Sequence, residues 1–411
     1  MVTYPTDWAT YSFDQMFQII SNNTLSRDKL TQHGRIGNIH YGDVLIKYGA
    51  VLTEQDSIPR IKPEFESYAG VQLAKDDVIV ADTAEDDTVG KVVQIGNVSC
   101  PLVGGLHTIV CHPLVQTASG YLGYYMNSKE YHEQLLPYIT GIKVSSVSKS
   151  SIRKTQLHIP ESTDEQAAIV SAISDFDSAI DNLNELIEKK KAIRSGTLDD
   201  LISGKTRLRT CAGTWITTTI DSITKDVITG GTPSTLHPEY WNGTIPWLAS
   251  TEIHQKMVEK ETTCITEHGL SHSSARIAPR GSVLIALAGQ GKTRGTAAFL
   301  LRDMALNQSL AALIVNEKCD AKFLFYLMES QYQQLREVSS GDGGRGGLNK
   351  KLIRNFEVRI PSNVVEQGEI AEILTSMDEE IKALEVEREK MIQIREGAMD
   401  DLLTGRVRLS V

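Results

Sequence analysis

The sequence predicts an α+β protein with a pseudo-twofold repeat: two mainly-β domains of mixed α/β pattern and two long helices that pair antiparallel as a coiled coil. The first observation is the repeat itself. Residues 152–208 recur, without a gap, as residues 353–409, with roughly 21 of 57 positions identical. The second is a pair of apolar seams at coiled-coil spacing inside those copies. The third is a scatter of short β-like runs in the two segments that precede them.

The repeat is too long in period for a solenoid. Matches include Ile152-Arg153 with Ile353-Arg354, Ile159-Pro160 with Ile360-Pro361, Glu165-Gln166 with Glu366-Gln367, and Asp199-Asp200-Leu201 with Asp400-Asp401-Leu402. The chain therefore divides into a first globular domain (1–150), a first helical module (151–208), a second globular domain (209–350) and a second helical module (351–411).

Each module opens with a strand-like piece, 156–160 or 357–361, ending in Ile-Pro. Proline there stops a ladder or a helix. The helix that follows carries Glu165 or Glu366 in its first turn, where an acid suits the helix dipole. The first seam reads Ile169, Ile173, Phe176, Ile180, Leu183; the second reads Ile370, Leu374, Met377, Ile381, Leu384. Steps of four and three are the a/d spacing of a coiled coil. Gly204 and Gly405 are placed to cap the helix ends. About 38 residues at 1.5 Å each make a helix of roughly 57 Å. One apolar stripe on so long a helix needs a partner, and the other copy is the natural one.

The globular segments echo each other at their ends. Trp8 then Phe13-Asp14 matches Trp215 then Ile220-Asp221. Between the ends they diverge. Short strands are expected at 44–47, 77–81, 92–95, 108–111, 283–287 and 311–315, and helices at 119–134 and 320–337.

Composition narrows the function. The hydrophobic share of 41% and charged share of 23% are ordinary for a globular protein. No apolar run is long enough to span a bilayer and no signal peptide opens the chain, so a cytoplasmic protein with no membrane partner is expected. Five cysteines (Cys100, Cys111, Cys211, Cys264, Cys319) show no metal spacing, so no metal site is expected. The net charge of −10 counts against a free-standing nucleic-acid binder, although it says little about local fields.

Catalytic motifs fail one by one. Residues 286–293, ALAGQGKT, satisfy a loose phosphate-loop pattern. Such a loop must open a helix whose N-terminus faces the phosphates. Here Gly295 and a short strand-like run follow. A hairpin loop with Lys292 and Arg294 exposed for DNA phosphate is the favoured reading; an ATP-binding protein is the alternative. No Pro-Pro pair exists for an adenine-methyltransferase motif, and no H-x-E…C-x-x-C for a deaminase. Two places are locally basic: Lys143, Lys149, Arg153 and Lys154, and at the matching point Arg345, Lys350, Lys351, Arg354 and Arg359. Set among glycines and serines, such groups suit close approach to a phosphate backbone. A solvated turn is the bland alternative, and a bivalent coiled-coil scaffold that binds no DNA is another.

The order of the motifs resembles the specificity subunit of type I restriction–modification systems. In the second half the resemblance rests on Gly230-Gly231-Thr232-Pro233-Ser234, Tyr240-Trp241, Ile245-Pro246-Trp247-Leu248 and Ala305-Leu306-Asn307-Gln308. In the first half it rests on Tyr41-Gly42-Asp43-Val44, Lys47-Tyr48-Gly49, residues 81–86 and Gly105-Leu106-His107-Thr108. The first half lacks the Gly-Gly-Thr-Pro-Ser start, so contacts do not transfer between halves. The resemblance implies two target-recognition domains and a non-catalytic subunit without a cofactor of its own. It implies that the chain reads a bipartite site in double-stranded DNA and positions two adenine-methylating modification subunits, which motor-nuclease restriction subunits then join. Candidate DNA contacts are Lys47, Tyr48, Thr83, His107, Lys143 and Lys149 in the first half. In the second they are Thr232, Ser234, Trp247, Lys292, Arg294, Arg345 and Lys350.

Overall fold

A computed structural model describes residues 3–141, 143–208, 213–289, 291–339 and 347–409. The chain forms two compact units. One joins Met1–Asn184 to Val386–Val411, and the other is Glu185–Glu385. Each unit therefore contains one globular domain, the first half of the helix that follows it, and the second half of the other long helix.

In the first unit a five-stranded sheet runs in the order Phe17–Ile20, Thr108–Pro113, Val78–Ala81, Val92–Ile95, Val51–Leu52. Only the last pairing is parallel. The second unit repeats this order with Thr224–Thr229, Leu310–Val315, Val283–Ala286, Ala297–Leu300 and Met257–Val258, again with only the last pair parallel. A four-stranded sheet accompanies each. It comprises Leu102–Gly104, Gly37–Ile39, Arg60–Ile61 and Leu30–Thr31 in the first unit, and Thr263–Ile265, Trp241–Leu248, Met304–Leu306 and Arg276–Ala278 in the second. The central strands Val78–Ala81 and Val283–Ala286 are buried on both faces, which is why they read as unbroken apolar runs.

Each domain closes on its module through a two-stranded ribbon. Trp8–Ser12 pairs antiparallel with Gln156–Pro160, and Trp215–Thr219 with Glu357–Pro361. The prolines end both ribbons, as expected. Each long helix follows directly: Thr163–Ile202 and Val364–Leu402. A buried glutamine in its first turn braces the joint. Gln166 Nε2 donates to the Pro160 carbonyl while its Oε1 accepts from Ala118 N, both at 2.8 Å. Gln367 makes the same two bonds, to the Pro361 carbonyl and from Asp320 N.

The helices pair antiparallel within each unit. Asp177 meets Arg395, and Asn184 meets Arg388. In the second unit Arg194 meets Asp378, and the earlier Lys191 meets the later Glu385. Of the predicted seam, Ile169 and Ile173 sit in the first unit's core, and Ile370 and Leu374 in the second's. Ile381 is buried as well, while Phe176, Ile180, Leu183, Met377 and Leu384 are half-buried. The last turns of each helix belong to the core of the other half's domain. Met399, Leu402 and Leu403 pack into the first core, and Leu198, Leu201 and Ile202 into the second. Gly204 and Gly405 end the helices in the left-handed region, with φ of 72° and 71°. There glycine avoids the steric cost that any other L-residue meets.

Two local expectations are corrected. Residues 44–47 are not a strand: Tyr41–Ile46 is a short helix, capped by the His40 ring, which accepts from Gly42 N. Val44 and Tyr48, four apart, face the core, and Ile46 points outward and is 84% exposed. That exposed isoleucine makes the run look like a strand. The helices expected at 119–134 and 320–337 are each broken. They run Tyr121–Met126 then Lys129–Leu135, and Ala321–Ser330 then Tyr332–Val338. Ser128 caps the second helix of the first pair by accepting from Tyr131 N.

Candidate nucleic-acid interface

In the second domain four separate motifs converge on the two central strands of the four-stranded sheet, Trp241–Leu248 and Met304–Leu306. Gly231 N donates to the Leu306 carbonyl at 2.9 Å, and Trp247 Nε1 donates to the Gly231 carbonyl at 3.1 Å. Asn307 N donates to the Leu248 carbonyl, and Trp241 Nε1 to the Ser234 carbonyl. A Cβ on Gly230 would lie 1.7 Å from the Leu306 carbonyl oxygen, so only glycine lets the two backbones approach. The frame holds an exposed loop. Thr232 donates through Oγ1 to Gln308 Oε1 at 2.6 Å, Ser234 is exposed, and Leu236 is 88% exposed. Trp247 is buried with its indole N–H engaged, so it holds this loop from beneath.

In the first domain the corresponding motifs gather around His107, whose φ of 56° is left-handed. Its Nδ1 lies 3.4 Å from Thr83 Oγ1 and 3.3 Å from Asp82 Oδ1, and its ring meets Tyr41 edge-on at 5.3 Å. His107, Thr83 and Asp82 line a cavity of about 260 Å³ with Ser146, Ser148 and Tyr138. The strand Ser145–Ser146 pairs with Thr83–Ala84, which brings the loop carrying the exposed Lys143 and Lys149 beside His107. Below lies a charge clamp. Asp43 is fully buried; it accepts from Arg27 at 2.7 Å and is ion-paired with Lys47 at 2.8 Å. Burial, then the charge of Arg27, lowers the His40 pKa, so its ring stays neutral and Nδ1 remains free to accept the Gly42 amide. Tyr48 is buried in the core behind this clamp. Lys47 is half-exposed but tied to Asp43.

The loop after Val283–Ala286 decides between two chemistries. It runs into the antiparallel strand Ala297–Leu300, and among the described residues no helix begins there. It is a hairpin, which overturns the ATP-binding alternative: no helix N-terminus faces the place a phosphate would occupy. Lys292 is exposed at its tip and Arg294 is half-buried. The backbone is braced from behind, where Tyr332 Oη donates to the Lys292 carbonyl and Arg336 Nη1 to the Gly291 carbonyl.

The two basic clusters separate into structural and exposed members. Arg153 pairs with Asp14, and Arg354 pairs with Asp221 at 3.4 Å and Asp226 at 3.0 Å. The repeated Ile-Arg is thus the clasp that closes each domain. Lys350 lies 3.6 Å from Asp226. Against the cost of burial, the Val227 amide and these two cations hold the Asp226 carboxyl below its ordinary range. Arg345 lies outside the described residues. Sequence reasoning did not reach the clasp acids Asp14, Asp221 and Asp226 or the buried Asp43. Only the shared Phe/Ile-Asp start hinted at the first two.

Two divergent domains, each locked to a copy of one helical module, define a class of protein with two different recognition surfaces on a duplicated frame. Residues 5–191 and 213–393 match the family described as type I restriction modification DNA specificity domain. The chain belongs to that family. It is 30% identical over 152 residues to the EcoR124I/EcoR124II specificity subunit of Escherichia coli, which is 36% of this chain and 37% of that subunit. It is 21% identical over 423 residues to a putative MjaX specificity subunit of Methanocaldococcus jannaschii, covering 98% of this chain and 95% of that one. The fold matches the S subunit from M. genitalium with a TM-score of 0.60 at 15% identity, covering 96% of both chains. A chain from a type I R-M system, solved to explain complex assembly and conformational transition, matches at 0.61 with 14% identity, covering 99% and 100%. Within this family the specificity subunit is the non-catalytic component. Among the described residues no helix is long and apolar enough to cross a membrane.

Proposed function

We propose that this chain reads an asymmetric, bipartite site in double-stranded DNA, one half-site with each domain. It positions two adenine-methylating modification subunits there, and restriction subunits join them. One contrast carries the reading. The modules and the main ties of strand, glutamine and Tyr-Asp-Arg to each domain recur in both halves, whereas the exposed loops of the two domains share neither motif nor geometry. Two unlike surfaces read unlike half-sites; a palindrome would ask for two alike. Base choice comes from polar side chains at the loops, and register from phosphate contacts.

The proposed contacts in the first domain are Thr83, His107, Lys143 and Lys149, with Lys47 at the margin. In the second they are Thr232, Ser234, Lys292, Arg294 and Lys350, with Arg345. Tyr48 and Trp247 support these surfaces from within. Mapping methylated adenines genome-wide with and without this chain is the direct test. The expected motif is two unrelated short half-sites separated by unspecified bases. A perfect palindrome or a single continuous motif overturns the proposal.

A further inference from the structure

The same three residues join domain to helices in both units. Tyr124 Oη donates to Asp177 Oδ2 at 2.7 Å, and Arg395 Nε to Asp177 Oδ1 at 2.6 Å. Tyr326 Oη donates to Asp378 Oδ2 at 3.0 Å, and Arg194 Nε to Asp378 Oδ1 at 2.9 Å. In the second unit a second carboxylate completes the cluster. Glu329 accepts from Arg194 at 2.6 Å and also from Lys256. Burial opposes its charge, yet these two cations hold its pKa below the ordinary value.

In the first unit that carboxylate is missing. The matched bonds of Ala118 with Asp320 and Tyr124 with Tyr326 place Asn127 where Glu329 stands. The Asn127 side chain is turned away, bonded to the Val92 backbone and the Gly123 carbonyl. A cavity of about 380 Å³ opens there, lined by Lys91, Arg395 and His132 over an apolar floor of Met126 and Met399. Asp87 also lines it, exposed, and forms no ion pair among the described residues. Lys91 donates to the Leu45 carbonyl and forms no ion pair among the described residues. Burial, then the charge of Arg395, lowers its pKa, the mark of a cation without a counter-charge.

We propose that this cavity is a carboxylate-binding site, in which Arg395 and Lys91 receive from outside the chain the acid that Glu329 supplies within the second half. The ligand is either a free small carboxylate or an acidic side chain of an assembling subunit. The free-carboxylate arm of the test stands apart from the DNA-recognition reading; only the subunit arm rests on it.

Acylation of the Lys91 amine, followed by mass spectrometry on the full chain, reads the site. A lowered pKa makes this lysine more readily acylated than a fully solvated one, and a bound carboxylate both blocks it and restores its proton. Succinate is expected to slow modification several-fold beyond sodium chloride at matched ionic strength, or the assembled modification subunit to do so in its place. The first result identifies a free carboxylate and the second a protein side chain. Arg395→Gln should abolish either protection, and Asn127→Glu should protect Lys91 with nothing added. Should Asn127→Glu fail to fold, the wild-type and Arg395→Gln arms decide alone. Three results overturn the proposal: no protection by either agent, equal protection by inorganic phosphate, or protection that persists in Arg395→Gln.

Discussion

Arg194 and Arg395 occupy equivalent places in the two halves, but their surroundings differ. Arg194 is held by Asp378 and Glu329 and its side chain is 10% exposed. Arg395 is held by Asp177, its one acidic partner among the described residues, and is 25% exposed. The duplication has kept the tie between domain and helix while the surface around it has diverged. The recognition loops show the same pattern at larger scale. What holds the halves together is common to both; what meets the outside is not.

The sharpest way to break the comparison is to remove each arginine. Arg194→Ala leaves Asp378 without its cation and Glu329 with Lys256 alone in a largely desolvated site, and breaking such a pair costs about 3–5 kcal/mol. Arg395→Ala leaves one half-exposed acid, and losing a bond to a charged group costs about 1.5–3 kcal/mol. Hydrogen exchange of the adjoining helices, Ala321–Ser330 and Tyr121–Met126, checks this locally. That matters because a two-unit chain does not unfold as a single two-state system. Equal losses of protection would show that Glu329 adds nothing.

The paired glycines give the next largest difference. A Cβ in the left-handed region costs about 1–2 kcal/mol at either site. At Gly405 it would also lie 2.5 Å from Pro5 Cγ, whereas at Gly204 the nearest atom is the Trp215 ring at 3.1 Å. Gly405→Ala should therefore lower the exchange protection of the first unit more than Gly204→Ala lowers that of the second. Overpacking against the proline adds about 1–3 kcal/mol.

Acid sharpens the same contrast. Because Glu329 has a lowered pKa in the folded chain, its contribution is full above the ordinary carboxylate value and is lost as pH falls through the lowered one. Exchange protection of Ala321–Ser330 should therefore weaken progressively below roughly pH 4.3. Glu329→Gln should remove that component of the pH dependence; an unchanged profile in the variant would assign it to other acids. The smallest effect is expected at the hairpin. Lys292→Ala should reduce the slope of log affinity against log salt by about one unit, uniformly across DNA sequences. A change in the methylated motif would instead make Lys292 a base reader.

The repeat, the seams, the module starts and the glycine caps were legible because they are local or periodic. The strand misread at 44–47 shows the limit. Its apolar residues fit a strand, and the clamp of Asp43 between Arg27 and Lys47 that fixes it as a helix is a tertiary fact. The basic clusters show another limit. Arg153 and Arg354 read as free cations because the acids that neutralise them, Asp14 and Asp221, lie at the far end of each domain. The loop 286–293 was readable as a hairpin because a phosphate loop makes a demand on the next residues, and Gly295 fails it. The surface near His107 was only partly readable, since four short motifs meet there through sheet pairing.

The interleaving of the helix ends sets an order of completion during synthesis. The second domain finds Leu198, Leu201 and Ile202 already made when its own strands emerge. The first domain must wait, because Met399, Leu402 and Leu403, with Arg408 bonded to Asp7 and Glu165, are translated after every strand of both domains. Until then its apolar floor is open and its N-terminal Trp8 has no Gly405 to rest on. A premature stop that removed the last dozen described residues would therefore injure the first domain and spare the domain nearer the lesion.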